Sequence, residues 1–450
     1  MLFVREKQFY KSLLLIALPA ALQQLISFAV NMMDTVMVGS LGEEALGAVS
    51  QGNQISVFMM VFIKGISAGT AVMISQYWGK KDMARIKNIF AIGFQASVTV
   101  AILFFGATFL FPRFVMSILT DNTVLIEKGI PYVQTVAFSY LLYAISENML
   151  VMLRNVEVVK VALAVSTTSL FVNIGSNYVL IFGKLGFPAM GIKGAAVATV
   201  FTRAVELLIV LCYVAFVDKK LHLKAKDLLH GSGEMWRDYL KYGTPLILAD
   251  VMWGIVNLVK QMIIGRLDTV AVAANSIAEV VLQLAMMFTW GMASASGVLI
   301  GKSVGAKQYD KTRAYAKTIQ VMFFCFGIFA AVFTYVIRPY AVEFYNVSAE
   351  VKLMAQEFLA FGALTIWGTG YAAGCFQGIN RGSGDVKFVL KTNLICGYAV
   401  VIPLSFLSAF VWNLPAPVVF FFTRCDQIVK VFVAFFRLRT NRWIRNVTRE

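Results

Sequence analysis

Twelve long apolar runs, near residues 12–33, 53–77, 89–112, 131–153, 160–182, 193–217, 242–264, 279–301, 316–337, 355–377, 388–410 and 416–436, constrain this chain more than any motif in it. A membrane span takes about 20 residues. Within hydrocarbon every backbone N–H and C=O must be bonded inside its own segment, so such runs must be helices. Together they take more than half of the 450 residues and leave only short connectors, with no room for a sizeable extramembrane domain. The composition agrees: 59% of residues are hydrophobic and 14% charged, with a mean hydropathy of +0.74. The expected fold class is all-α and integral to the membrane, with twelve transmembrane helices.

The connectors give an orientation. With the N-terminus placed in the cytoplasm, the cytoplasmic connectors and termini hold 28 Lys and Arg and the outer ones seven. The excess of basic residues inside predicts a multi-pass protein of the cell membrane with both termini cytoplasmic. It also accounts for the net charge of +16 without nucleic acid as a partner. The first apolar run is as long as a full span and lacks a small-residue cleavage site, so it is expected to stay as the first helix.

Catalytic signals are scarce. The only two histidines, His222 and His230, share one polar loop, which removes the usual base and metal ligand from any intramembrane enzyme site. The five cysteines, Cys212, Cys325, Cys375, Cys396 and Cys425, lie in apolar runs without C-x-x-C spacing and read as small buried hydrophobes. Gly297-Val-Leu-Ile-Gly301-Lys302-Ser303 resembles a phosphate-binding loop. It has three residues between its glycines where that loop needs four, and it ends an apolar span rather than following a strand. No ATP site follows, no cofactor is expected, and an ion gradient is the expected energy source.

The chain also repeats itself. A shift of 226 places Pro19 on Pro245, Asn31 on Asn257, Gly39 on Gly265, Gly65 on Gly291 and Gly79 on Gly305, and 13 of the 55 positions in 31–85 are identical to their counterparts in 257–311. Duplication follows. Six spans per copy is an even number, so both copies enter from the same side as parallel repeats. The expected domains are an N-terminal six-helix lobe (1–217), a cytoplasmic linker (218–241) and a C-terminal six-helix lobe (242–450), an organisation suited to alternating access.

A charge in hydrocarbon costs several kcal/mol, so each ionisable residue inside a span needs a reason. Asp34, five residues before Gly39, lies too deep for a short carboxylate to reach water easily and reads as a protonation or cation site. Asn173 and Asn177 are four apart and share a helix face. Their carbonyl oxygens either join Asp34 around a sodium ion or a proton-carrying network, or bond neighbouring helices. Asp250 lies five residues after Pro245, whose ring is expected to disturb the helix and expose a carbonyl near the carboxylate. Lys260 occupies the repeat position of Asp34. It either pairs with an acid or extends toward the interface, the second being the simpler account. Glu147, Arg203, Glu206, Arg424 and Asp426 read as structural pairs, Arg424 and Asp426 sharing one network. Lys64 is matched in the repeat by Trp290 and has no assigned role. Twenty Met and 37 Phe supply adaptable apolar surface.

Over nearly its whole length the chain resembles the multidrug and toxic compound extrusion (MATE) transporters. The likeness is carried by MMDTVMVGSLGEEALGAVS, SQYWGKKD, VNIGSNYVLIFG with MGIKGAAVAT, GRLDTVAVAANSI and IGKSVGAKQYDKTR, in that order and spacing. It implies two six-helix lobes in a V shape. It also implies an antiporter that exports cationic or amphipathic organic compounds and drugs in exchange for sodium ions or protons, working as a monomer in the bilayer. By this resemblance Asp34 matches the aspartate of the family's N-lobe cation site, Asn173 its partner asparagine, and Thr199 a threonine of the same site. Asn177 stands where many members carry a second aspartate, and Asp250 resembles the acid of the seventh helix, shortened from glutamate. The acid some members carry on the tenth helix has no counterpart in FLAFGALTIWGTGYAAGCF, and Arg154-Asn-Val-Glu-Val-Val replaces the usual Gly/Thr connector after the fourth. A flippase for lipid or lipid-linked oligosaccharide is the alternative. It would need several basic residues on the cargo path, for which Lys260 is the main candidate. A channel or an enzyme fits less well, for want of a continuous polar stripe or of nucleophile, base and metal signals.

Overall fold

The structure, a computed structural model, describes residues 4, 6–218, 220–228, 231–345 and 347–449; Arg5, Lys219 and His230 lie outside them. The described residues form helices and connecting turns, without strands. In the first half these are α1 (Lys7–Gly39), α2 (Glu43–Lys80), α3 (Met83–Leu110), a short α4 (Pro112–Ser117), α5 (Thr123–Val136), α6 (Phe138–Asn155), α7 (Lys160–Phe182) and α8 (Gly191–Cys212). The second half has α9 (Gly233–Ile264), α10 (Thr269–Gly305), α11 (Tyr309–Glu343), α12 (Ala349–Ala372), α13 (Val386–Leu394), α14 (Ile402–Phe406), α15 (Ala416–Phe422) and α16 (Asp426–Arg439). Wider π turns continue α8 through Val217, α12 through Asn380 and the α13–α14 segment through Val411.

Ten of these helical segments are long and apolar enough to cross a membrane, and α5 with α6, bent by 43°, makes an eleventh. The twelfth expected span is divided between two shorter helices, α15 and α16, separated at 423–425. Most helices outrun their apolar cores. α2 has 38 residues, which at 1.5 Å each is about 57 Å, so its ends must leave the hydrocarbon. Four helix-interior prolines, Pro19, Pro131, Pro245 and Pro339, do not interrupt their helices. At Pro245, too, α9 runs on without a break, although the missing N–H still withholds one helix bond from the carbonyl four residues back. Likewise Gly297–Ser303 is continuous helix within α10, so its backbone N–H groups are spent on helix bonds and cannot cradle a phosphate. Cys212 and Cys325 are exposed, not buried, since in a membrane protein an exposed thiol can face lipid; Cys375 and Cys396 are buried as expected.

The chain divides into two compact units, one of residues 1–21, 75–81 and 248–450, the other of 22–74 and 82–247. The boundaries at 21 and 247 differ by 226, the repeat offset. The repeat-paired glycines explain why. In the second unit a Cβ on Gly65 would lie 2.8 Å from Ile247 Cα, and one on Gly69 2.7 Å from Gly243 Cα, so α2 and the start of α9 touch backbone to backbone. In the first unit a Cβ on Gly291 would lie 2.7 Å from both Ala17 O and Ala21 N, so α10 and the start of α1 make the equivalent contact. Between membrane helices, where apolar surface alone gives little driving force, such close approach is what van der Waals packing requires. Met59, Ile63, Val133, Tyr140 and Ala196 anchor the core of the second unit, and Leu282, Phe358, Leu359 and Phe420 that of the first.

Beyond α16 the chain folds back onto the first unit. Trp443 and Val447 are 2% and 3% exposed. The Gln76 amide accepts the Val447 N–H at 2.8 Å and donates to Arg445 O at 3.2 Å and Gly382 O at 3.0 Å. Asp385, fully buried, meets Arg437 at 2.7 Å and Arg445 at 3.0 Å.

Candidate functional site

Asp34, Asn173 and Asn177 come together in the second unit, from α1 and α7. Asn173 and Asn177 are 2% and 1% exposed. The Asn177 Nδ2 donates to Asp34 Oδ1 and also to Asn173 Oδ1, the latter at 3.1 Å. The α7 side is pre-set by periodicity: Ser169, Asn173 and Asn177 recur every four residues and line one buried face. Asn177 Oδ1 is buried with no hydrogen-bond partner among the described residues, a state that costs about 1–3 kcal/mol when left unmet. Near Asp34, Tyr132 donates to Asn53 Oδ1 at 2.7 Å.

As placed, this set is a hydrogen-bonded network around the Asp34 carboxyl group. A half-turn of the Asn177 amide would bring its Oδ1 beside Asp34 Oδ1 and Asn173 Oδ1. Three oxygens so close repel one another unless a cation or a proton lies among them. The donor set therefore suits a hard monovalent cation or a proton. Among the described residues no group of three His, Cys, Asp or Glu is placed to hold a metal ion. Among the described residues Thr199 makes no hydrogen bond to this network; its hydroxyl donates to Ala195 O at 3.0 Å within α8.

One helix turn deeper on α7, Ser169 donates to Glu206 Oε1 at 2.6 Å, and Arg203 pairs with Glu206 at 2.7 Å and lies 4.9 Å from the Tyr143 ring centroid. Arg203 and Glu206, both expected in structural pairs with no partner assigned, pair with each other. Neither Ser169 nor Tyr132 was singled out from sequence; the i, i+4, i+8 recurrence from Ser169 was the available signal, while Tyr132 had none.

In the first unit the charges sort into separate pairs. Asp250 is taken by Arg381, which donates to both carboxylate oxygens. Arg424 pairs with Glu279 at 2.5 Å, and Asp426 with Lys430 at 2.8 Å and with Gln427. Arg424 and Asp426, two residues apart near the start of α16, bond to different partners, with Lys260 within electrostatic reach of both pairs. Among the described residues Lys260 meets no carboxylate. Its Nζ donates to Asn257 Oδ1 at 3.2 Å, while the acids nearest it are held by Arg424 and Lys430.

The comparisons with known proteins bear on the family and the fold. The MatE family model matches residues 19–179 and again 245–407, and the two matches begin 226 residues apart, the offset of the internal repeat. The chain is 27% identical over 405 residues to the probable multidrug resistance protein NorM of Halalkalibacterium halodurans, covering 89% of this chain and 87% of that protein. It is 24% identical over 401 residues to the multidrug resistance protein MdtK of Photorhabdus laumondii, covering 88% and 87%. Its structure superposes on a mutant of the Vibrio cholerae MATE transporter VcmN with a TM-score of 0.88 at 16% identity, covering 97% of this chain and 99% of that one. It also superposes on an outward-facing multidrug resistance MATE transporter of the MOP superfamily with a TM-score of 0.84 at 18% identity, covering 97% and 98%. Likeness at such low identity establishes the fold; the family match, covering well over half of the sequence, establishes membership, and the chain belongs to the MatE family.

Proposed function

We propose that this protein is a multidrug efflux transporter that exports cationic or amphipathic organic compounds by antiport against sodium ions or protons. The observation that carries the reading is the Asp34–Asn177–Asn173 network, which joins α1 to α7 and holds a buried amide oxygen without a partner among the described residues. The names of the relatives NorM and MdtK support the multidrug part, and the basic excess on one side supports cytoplasmic termini.

In this mechanism Asp34 alternates between two states. Ionised, it is held by the Asn177 N–H and attracts a cationic compound. Loaded with the coupling ion, it loses that charge, the Asn177 amide turns its oxygen inward, and the compound is released. The ion drives transport only through its different affinities for the two conformations. Asp250, committed to Arg381, serves architecture in this scheme, and Thr199 lies outside the network.

The test is efflux of a cationic dye from proteoliposomes containing the purified protein, driven in turn by a sodium gradient and by a pH gradient. Movement under one gradient identifies the coupling ion. No movement under either, across several cationic dyes, sinks the antiport reading and favours the lipid-cargo alternative.

A further inference from the structure

Five basic residues lie four or more residues in from either end of a span: Lys64, Arg203, Lys260, Arg424 and Lys430. Arg203, Arg424 and Lys430 have carboxylate partners, and Lys260 donates to Asn257. Lys64 is different: it is exposed and has no hydrogen-bond or ion-pair partner among the described residues. It sits at the centre of the apolar run 53–77, 11 residues from its start and 13 from its end, or about 16 and 20 Å along the axis. That is farther than a lysine stem can extend to reach the interface. An ammonium exposed there to hydrocarbon would cost several kcal/mol, so it must face water or a polar cargo.

Its place on α2 says which. Eleven residues make three turns with about 20° left over, so Lys64 shares a helix face with Asn53. Asn53 and Val57 on that face are exposed, whereas Ile55, Met59, Ile63 and Ile66 on the other side are buried. Asn53 accepts the Tyr132 hydroxyl, and Tyr132 lies within electrostatic reach of Asp34. One face of α2 thus runs from the neighbourhood of an anion to an uncompensated cation about 16 Å away.

We propose that Lys64 is a specificity residue of the export path, the counter-charge for a carboxylate on the transported compound, so that the path favours zwitterionic amphipaths carrying an amine and a carboxylate. The proposal rests on the transport reading above and refines its substrate class. A charge pair formed in a partly dehydrated path is stronger than one in bulk water, and Lys64 has no internal partner to give up first.

The test uses a fluorescent amino carboxylate and its methyl ester, which differ only in the anionic group. In proteoliposomes Lys64→Met should raise the KM for the carboxylate about tenfold, leave that for the ester unchanged, and be rescued by Lys64→Arg. Equal effects on both compounds, or none, overturn the proposal. Independently, Lys64→Cys should react with a membrane-impermeant thiosulfonate, read at position 64 by mass spectrometry, and the carboxylate but not the ester should protect it. An unreactive Lys64→Cys, or equal protection by both, overturns it as well. If the wild type moves neither compound the transport reading fails, while selective protection at position 64 still supports the carboxylate contact.

Discussion

Replacing Gly291 by alanine tests both the packing and the duplication behind it. The added methyl would lie 2.7 Å from Ala17 O and Ala21 N, where ordinary contact begins near 3.4 Å. Because the obstructing atoms are backbone, no side chain can swing away, and α10 must move from α1 by about 0.7 Å, the difference of the two distances. A gap of that size forfeits a quarter to a half of the dispersion attraction along the rest of the contact, and overpacking of this kind costs about 1–3 kcal/mol. Alanine returns about 0.5–1 kcal/mol as the better helix former, leaving a net loss near 1–2 kcal/mol. Gly65→Ala, the repeat twin, meets Ile247 Cα at 2.8 Å and should lose a similar amount. Gly106→Ala is the control: nothing lies within 4 Å of its Cβ, so it should gain stability. Thermal unfolding of the three variants in detergent, followed by the fraction remaining monodisperse, should place Gly65→Ala and Gly291→Ala together below the wild type and Gly106→Ala above it. Gly291→Ala as stable as Gly106→Ala would refute the reasoning.

Three further outcomes follow from individual contacts. Asp250→Asn leaves the partly buried Arg381 guanidinium without its counter-charge and should cost about 1.5–3 kcal/mol, with dye efflux by the folded protein retained; loss of efflux without loss of stability would return Asp250 to the coupling path. Deleting residues 441–450 removes buried Trp443 and Val447 and strips Gln76 of its tail partners, so the melting temperature should fall clearly, and an unchanged value would show that the tail contacts contribute nothing. The Asp227 carboxyl, in the polar connector, is held below the usual carboxylate range by the Lys224 backbone N–H and the Lys87 ammonium, each at 3.0 Å. A lowered carboxyl pKa stabilises the fold above the unfolded value near 3.9 and ceases to do so as pH falls through the folded value. Asp227→Asn should therefore cost at most about 1 kcal/mol at pH 7 and nothing in strong acid, and a penalty that persists in acid would contradict the pairing.

The spans were legible because hydrocarbon imposes one rule on every backbone group: the expected 160–182 coincides with α7, and the other apolar runs lie on helical segments. The repeat glycines were legible as a pattern, though what they do was not, since only packing shows that Gly65 meets α9 and Gly291 meets α1. Asp34 and the two asparagines could be named because a charge or an amide in an apolar run is conspicuous. Their mutual bonding also depended on α1 and α7 meeting, which periodicity does not encode. The pairs Asp250–Arg381 and Arg424–Glu279 were hidden for the same reason, as their members lie 131 and 145 residues apart. The bend between α5 and α6 and the break before α16 escaped notice because no proline marks either position; Pro131, Pro245 and Pro339 sit in helices that continue.

The central claim is that Asp34 carries the coupling ion. It is tested most directly by comparing wild type and Asp34→Asn in the same proteoliposomes, for uphill dye efflux under the effective ion gradient and for stability in detergent. The account predicts that Asp34→Asn folds with near-normal stability, since asparagine keeps the shape and an acceptor for Asn177, while gradient-driven efflux is abolished. Efflux at the wild-type rate by Asp34→Asn, still responding to the ion gradient, would contradict it.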